Sequence, residues 1–340
     1  MTFEEYCKSN SDDLFKQISQ YIPNREPFEH YKMVSDYTNR RGKYMRPNLL
    51  LLWAELFGVN KEKSSLPACA IQIAEDWLLM HDDWEDANEL RRGKPTAHVL
   101  YGDVFAVNAG DSSHMVMWKI VHDAANRLND KEAAERFFEK FYDIMLVTTE
   151  GQYYDFKLTQ NKDITSFSLE DYWQSIHAKA AYYSVYGPMQ LGAILAGQSE
   201  ETVGKIKEYG LSIGRAFQIK DDILDCVSCE ETLGKTIGND ILEGTKTAIL
   251  WHFVNNSNPG DLEIVKEIYR KDRKEKTKED VQKVVELFKK TKSIEFAEDL
   301  VDKLYKEAIA AFEKNTASLP DSESKETAKD AIEKIAKRKR

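Results

Sequence analysis

The sequence predicts an all-α protein, and three observations carry that expectation. Apolar residues recur at helical spacing: Ile73, Trp77, Met80 and Trp84 fall at i, i+4, i+7 and i+11, one stripe of an amphipathic helix. Glycine and proline number only 16 and 8 in 340 residues. That is well under their usual shares of about 7% and 5%, and it argues against a β-sandwich, a glycine-rich dinucleotide fold or a proline-rich disordered chain. No segment alternates apolar and polar residues as a half-buried strand does, and no hairpin signal lies between β-branched runs.

Taken in order, the elements are set off by breaks at Ile22–Pro27, Gly58–Asn60, Arg92–Pro95, Asn161–Asp163, Gly197–Gln198, Asn255–Gly260 and Ser318–Pro320, which leave roughly a dozen helices. The run Leu49–Ala54 stops at Glu55, far short of the ~20 apolar residues of a membrane span. Trp84, at the end of the first stripe, is expected in the core. Phe137, Phe141, Ile144 and Thr148 form a second stripe. Val185–Gly197 is the longest mostly apolar stretch, but Gly187, Pro188, Gln190 and Gly192 mark it as a buried helix with an interruption. Arg270–Asp280, almost wholly charged, reads as a solvated face or loop. Leu300, Leu304 and Ala308 share a helix face, and Lys337–Arg340 reads as a frayed basic end. No break is long or simple enough for a linker, so residues 1–340 read as one domain.

Lys and Arg total 48 against 58 Asp and Glu, a net charge of −10. Such a chain repels nucleic acid unless its cations cluster, and the only dense basic run is the last four residues. Four cysteines do not make a disulfide framework. The start, Met-Thr-Phe-Glu-Glu-Tyr, has no basic or apolar stretch of a signal peptide. A soluble cytoplasmic protein without a membrane span is expected.

The most informative feature occurs twice. Asp82-Asp83-Trp84-Glu85-Asp86 and Asp221-Asp222-Ile223-Leu224-Asp225 both read DDxxD. On a helix the first and last aspartates are one turn apart, about 6 Å along the axis, with carboxylates pointing the same way. Oxygen ligands without Cys or His suit a hard cation, and Mg²⁺ with a bound phosphate is the usual solution. An exposed acidic face would explain one cluster. Two clusters, preceded by Trp77-Leu78-Leu79-Met80-His81 and by Ala216-Phe217-Gln218-Ile219-Lys220, need a cation more than that reading allows.

Cations lie in short blocks elsewhere: Gly42–Pro47 with Lys43 and Arg46, Arg91–Pro95 with Arg91 and Arg92, then Lys179 and Gly234-Lys235. Arg91, five residues after Asp86, is expected near the end of the same helix. Such groups bind phosphate. Two acidic clusters with about five basic groups fit two diphosphates bridged by Mg²⁺. Walker and GxGxxG loops are both missing, which argues against nucleotide phosphates. The CxxC pair Cys226 and Cys229 lacks a βαβ context and reads as incidental. His81 reads as packing, and Asp111-Ser-Ser-His114 lacks the Glu-x-x-His pairs of a di-iron bundle.

These residues, in this order, resemble the trans-isoprenyl diphosphate synthases, or polyprenyl synthetases. GKxxRP is met at Gly42–Pro47, the first aspartate motif at Asp82–Asp86 and RRGxP at Arg91–Pro95. Gly151-Gln152, Lys179, GxxFQxxDDxxD from Gly214 to Asp225 and GKxxGxD from Gly234 to Asp240 follow. The resemblance implies an all-α isoprenoid synthase fold, a helical bundle around a central cavity, and a homodimer. It implies a prenyltransferase that joins isopentenyl diphosphate head-to-tail to allylic diphosphates. Asp82 and Asp86 would hold two Mg²⁺ and Asp221 a third, with Asp225 completing the metal set and, like Asp83 and Asp222, acting mostly through water. Arg91, Lys179, Gln218 and Lys235 would face the allylic diphosphate; Lys43, Arg46 and Arg92 would bind isopentenyl diphosphate.

Three positions depart from the family pattern. Glu75 stands where His or Gln is usual at the isopentenyl diphosphate site, Ala180 follows Lys179 in place of Thr, and Thr245 replaces a lysine, with Lys246 adjacent. The implied chemistry is ionisation of an allylic C–O bond, attack by the isopentenyl double bond and loss of a proton that the diphosphate can take, so no nucleophile–base pair is required. Product length is expected to depend on Trp77, five residues before Asp82, and on Leu78; Ser112, Ser113 and Met115 are expected to shape the tunnel floor. In the family that this chain resembles, a single aromatic at this position goes with about twenty carbons, so Trp77 followed by Leu78 implies geranylgeranyl diphosphate, with farnesyl diphosphate as the alternative. A terpene cyclase, a head-to-head synthase or a silent partner subunit is disfavoured, because both aspartate motifs and the arginine pair are intact.

Overall fold

The structure is a computed structural model that describes residues 1–227 and 238–337. In chain order its first helices are α1 (Phe3–Tyr21), α2 (Phe28–Val34), α3 (Asp36–Arg40), α4 (Met45–Leu56), α5 (Lys61–Glu85), α6 (Ala97–Tyr101) and α7 (Asp103–Arg127). Then come α8 (Lys131–Gln160), α9 (Leu169–Ile176), a π-helical stretch (His177–Tyr186), α10 (Gly187–Leu195) and α11 (Glu200–Val227). After the undescribed segment follow α12 (Asn239–Glu243), α13 (Ala248–Asn256), α14 (Pro259–Arg270), α15 (Lys278–Lys290), α16 (Ser293–Asn315) and α17 (Glu323–Ala336). The fold is all-α, as expected. Five-residue helices such as α3, α6 and α12 raise the number above a dozen.

The helices gather into two compact units. The first comprises Met1–Asp143, Val185–Lys207 and Asn315–Ala331. Its centre is α4, whose residues Leu49 to Ala54 are fully buried, packed on α10, which is buried along its whole length. A helix apolar all round is a core helix. Gly192 permits the approach: a Cβ there would meet the Leu50 carbonyl and the Ala54 amide. The interruption expected in Val185–Gly197 is where the π-helical stretch gives way to α10, with Pro188 in the first turn.

Helix α5 packs on α7 and holds Ile73, Trp77 and Met80 inside, whereas Trp84 is 40% exposed. The expectation of Trp84 in the core was wrong. Asp83 takes the inward position at this last turn, where Tyr37 and Arg91 bond its carboxylate.

The second unit comprises Ile144–Ser184, Glu208–Lys314 and the chain from Ile332. Its core includes Ile219 and Ile223 of α11, Phe253 of α13, Tyr269 of α14, Phe288 of α15 and Val301 of α16. The charged stretch Arg270–Asp280 is less solvated than expected. Lys276 is 8% exposed and donates to the Ile241 and Leu242 carbonyls at 2.8 and 2.9 Å, while Arg273 pairs with Glu243 at 3.2 Å. Cations there satisfy carbonyls left over at the end of α12. At the basic end, Lys337 lies 3.9 Å from the Tyr305 ring centroid, and residues 338–340 lie outside the described residues.

Candidate active site

The first aspartate motif closes α5. Asp82 and Asp83 lie within the helix, and Asp86 is its C-cap, with its N–H on the Asp82 carbonyl at 2.9 Å. Arg91 is not on that helix, contrary to expectation. It belongs to a minimal hairpin, β1 (Leu90–Arg91) with β2 (Lys94–Pro95), antiparallel with Arg91 opposite Lys94. Arg92 and Gly93 form its two-residue turn with φ of 55° and 71°, the positive pair that matches strand twist. Arg40 pins the hairpin by donating to the carbonyls of Arg91 and Pro95 at 3.2 and 2.7 Å.

Asp83 is fully buried and accepts the Tyr37 hydroxyl at 2.6 Å and the Arg91 Nε at 3.0 Å on each oxygen. The Arg91 fork reaches Asp83 as well, and its Nη2 lies 3.8 Å from Asp82. Burial opposes the Arg91 charge, but Asp83 and Asp82 outweigh it and hold the guanidinium above its ordinary pKa. Asp82 keeps 25% of its side chain exposed. Asp83 therefore orients Arg91, and Asp82 presents the carboxylate.

Arg46 and Arg92 converge on one oxygen. Glu75 Oε1 lies 3.1 Å from Arg46 Nη1 and 3.4 Å from Arg92 Nη2. Arg46 comes from the first turn of α4, where Pro47 needs no amide partner. Gly42 makes room for Arg92: a Cβ there would lie 2.7 Å from its Nη2. Lys43 is exposed in the same loop. Next to Glu75, Asp76 is 2% exposed and accepts Thr38 Oγ1 at 2.8 Å and Gln72 Nε2 at 3.2 Å. Burial pushes its carboxyl up to about 7 against the opposing pull of Arg92.

The second motif repeats the arrangement on α11. Asp222 is 4% exposed and accepts the Tyr172 hydroxyl at 2.8 Å and Gln218 Nε2 at 2.9 Å, while Asp221 is half-buried. Burial raises the Asp222 pKa despite those donors. Asp225 is 1% exposed, and its two oxygens accept the Asn239 and Asp240 amides at 3.2 and 3.0 Å, at the start of α12. In both motifs a tyrosine hydroxyl holds the second aspartate inside and leaves the first nearer the solvent.

Lys179 lies in the π-helical stretch, with Nζ 2.7 Å from Asp155. Asp155 was not foreseen; the signal was its place one turn after Gly151-Gln152. Gly151 and Gly214 serve packing, since a Cβ at either would overlap the backbone of Lys179 or Ala181. Lys246, beside Thr245, is 4% exposed, lies 5.5 Å from the Tyr269 ring centroid and is pushed down to about 8 by burial. Gly234, Lys235 and Cys229 lie outside the described residues.

Of the residues expected to set product length, Trp77 is buried and Leu78 half-buried, but Met115 is 60% exposed; the residue stacked on Trp77 is His114. The acidic donors are hard oxygens, which fit Mg²⁺. Among the described residues no three acidic, imidazole or thiol groups form a ready cage.

Known proteins share this arrangement of sequence and fold. The geranylgeranyl diphosphate synthase of Sulfolobus acidocaldarius is 31% identical over 308 residues, 90% of this chain and 89% of that one. The geranylfarnesyl diphosphate synthase of Aeropyrum pernix is 34% identical over 226 residues, 66% of this chain and 69% of that one. The crystal structure of the geranylgeranyl pyrophosphate synthetase from Pyrococcus horikoshii superposes with a TM-score of 0.85 at 29% identity, covering 99% of both chains. The polyprenyl synthetase family model matches residues 28–288, a span that holds both tyrosine-anchored aspartate motifs, and the chain belongs to that family.

Proposed function

We propose that this protein is a prenyltransferase that elongates allylic diphosphates with isopentenyl diphosphate and releases mainly geranylgeranyl diphosphate. The observation that carries the reading is the repeated division of labour in the aspartate motifs. Tyr37 and Tyr172 hold Asp83 and Asp222 inside, and Asp82 and Asp221 remain toward solvent. In this reading residues 1–340 act as one catalytic domain.

Asp82, Asp86 and Asp221 would hold three Mg²⁺ ions on the allylic diphosphate. When bound, Mg²⁺ supplies charge stabilisation for the departing diphosphate. Asp225, committed to two backbone amides, helps by fixing the end of α11. Arg91 is oriented by Asp83 toward the phosphate held at Asp82, and Lys179 and Lys235 add positive charge on the leaving group. Gln218, which donates to Asp222 one turn on, would face the allylic diphosphate as well. Lys43, Arg46 and Arg92 bind isopentenyl diphosphate; the sharing of one Glu75 oxygen by Arg46 and Arg92 places two guanidinium groups within reach of a single anion.

For product length, Trp77 followed by Leu78 favours twenty carbons, and the name of the Sulfolobus relative agrees. The partner is a second copy of the chain, which would cover the exposed apolar residues Val104, Phe105 and Met115 of α7, 79%, 57% and 60% exposed. No described helix is long and apolar enough to cross a membrane. A cytoplasmic setting suits Cys7, Cys69 and Cys226, which are buried free thiols.

The test is incubation with Mg²⁺, isopentenyl diphosphate and dimethylallyl diphosphate, followed by sizing of the products. Asp82→Ala and Asp221→Ala should each cut turnover at least ~100-fold with an unchanged melting curve, as loss of a preorganised charge contact does. Near wild-type turnover in either folded variant refutes the metal assignment.

A further inference from the structure

Outside the aspartate motifs, positive charge gathers in the second unit, where the loop after α8 and helix α14 line one cavity. Its volume is about 120 Å³, and its walls are Lys162 and Asp163 of the loop with Lys266 and Arg270 of α14, all four charged. Lys162 and Asp163 lie close enough to Lys246, which is 4% exposed in the turn after α12, to act on its charge. The ammonium groups of Lys246 and Lys276 approach one ring, that of Tyr269, at 5.5 and 5.3 Å from its centroid. Burial and the neighbouring cations push both down to about 8.

A buried ammonium ordinarily finds an acid. Among the described residues Lys246 donates only to the Gly244 carbonyl, two residues back, at 3.4 Å. The acids of these segments are already engaged. Asp272, Glu263 and Glu243 pair with Lys162, Arg270 and Arg273, each at 3.2 Å, and Asp280 pairs with Lys271 at 2.7 Å. Asp163 stands near both Lys246 and Lys266, but its Oδ1 accepts the Thr165 amide and hydroxyl at 2.9 and 2.7 Å. Among the described residues no acid lies within ion-pair distance of Lys246 or Lys266. In a chain with a net charge of −10, such a local surplus of cations around one cavity calls for an anion.

We infer that this cavity is a second anion site, separate from the substrate-binding residues, that takes inorganic diphosphate on Lys246, Lys266 and Arg270. Lysine ammonium groups and an arginine fork are the donors that phosphate oxygens use. The walls offer a prenyl tail no apolar side chain, so the ligand is the free anion and not a prenylated one. A nucleic acid would need a longer basic stripe than one small cavity provides. The site backs onto the second aspartate motif through α12: Lys276 holds the Ile241 and Leu242 carbonyls, and the amides at the start of the same helix hold Asp225. The proposed elongation releases inorganic diphosphate at every step. That source rests on the elongation reading above, whereas the site itself uses residues that the reading leaves aside.

The experiment titrates the full-length protein calorimetrically with sodium diphosphate and, separately, with geranyl diphosphate. Both titrations are run in EDTA, because without a divalent cation the aspartate motifs repel either ligand. The variants are Lys246→Met and the pair Lys266→Gln with Arg270→Gln, whose side chains lie nearer the surface and keep the protein folded if the buried change does not. Each should weaken inorganic diphosphate roughly 10-fold or more, the effect of losing a charge-assisted hydrogen bond. Lys246→Met removes a buried charge without an acid partner, so its melting temperature without ligand should equal or exceed that of the wild type. The Michaelis constants for isopentenyl and allylic diphosphates should stay as in the wild type. Equal diphosphate affinity in the wild type and both variants would overturn the site. A several-fold rise of both Michaelis constants in the Lys266–Arg270 variant would put these residues in the substrate path and overturn its separateness. Tighter binding of geranyl than of inorganic diphosphate, lost in the same variants, would overturn the assignment to the free anion.

Discussion

Glu75 carries a negative charge where the proposed reaction brings another. Its Oε1 is shared by Arg46 and Arg92, so in the free protein it neutralises the guanidinium groups assigned to isopentenyl diphosphate. A buried carboxylate with two cations is stable, and a buried pair of cations without it is not. The incoming diphosphate must compete with Glu75 for the same N–H donors. Glu75→Gln keeps an acceptor oxygen and removes the charge. It should lower the Michaelis constant for isopentenyl diphosphate several-fold at neutral pH and barely change that for the allylic substrate. A rise instead would mean that the carboxylate is needed to position the two arginines. The sequence showed that Glu75 shares a face with Asp82, two turns on; it did not show which cations had chosen it, because Arg46 and Arg92 arrive from other elements.

At the scale of elements, the second unit depends on helices closer than side chains allow. α8 meets the π-helical stretch at Gly151, and α11 meets it at Gly214; both glycines belong to motifs first noticed for their order in the chain. A π-helical turn widens the backbone and is frequent at functional sites, and here it carries Lys179. Gly151→Ala would drive a methyl group into the Lys179 backbone, which cannot yield as a flexible side chain does. Overpacking of this sort costs about 1–3 kcal/mol. The variant should melt several degrees lower and lose turnover through a displaced Lys179. An unchanged melting temperature would show that α8 can shift at no cost. The hairpin that carries Arg91 and Arg92 is the element the sequence concealed. Two-residue strands leave no alternation to read, and the turn shows itself only in the positive φ of Arg92 and Gly93.

For the molecule as a whole, the exposed apolar residues of α7 depart from what a surface with a net charge of −10 leads one to expect. Val104 and Met115 are eleven residues apart, three helical turns, and share one face. If a second copy covers that face, sedimentation should give twice the 39.2 kDa of the chain. Val104→Glu combined with Met115→Glu should return the single-chain mass, since charges buried in an apolar interface are strongly unfavourable. A wild-type protein sedimenting as one chain would show that the face serves something other than self-association.

Helical class, two oxygen-rich motifs suited to a hard cation and the cationic blocks that accompany them were determined by the sequence alone. They depend on residue type and on spacings within a few turns, and a helix converts such spacings directly into shared faces. Tertiary structure decided which member of each motif does which work. Asp83 is claimed by Tyr37 from 46 residues away and Asp222 by Tyr172 from 50, distances over which no periodicity carries information. The same holds for the Glu75 pairing and for His114, which looked like half of a metal motif and stacks instead on Trp77. The physical reason is common to all of them: burial obliges a polar or charged group to find a partner, and the packing of distant helices determines which partner is within reach.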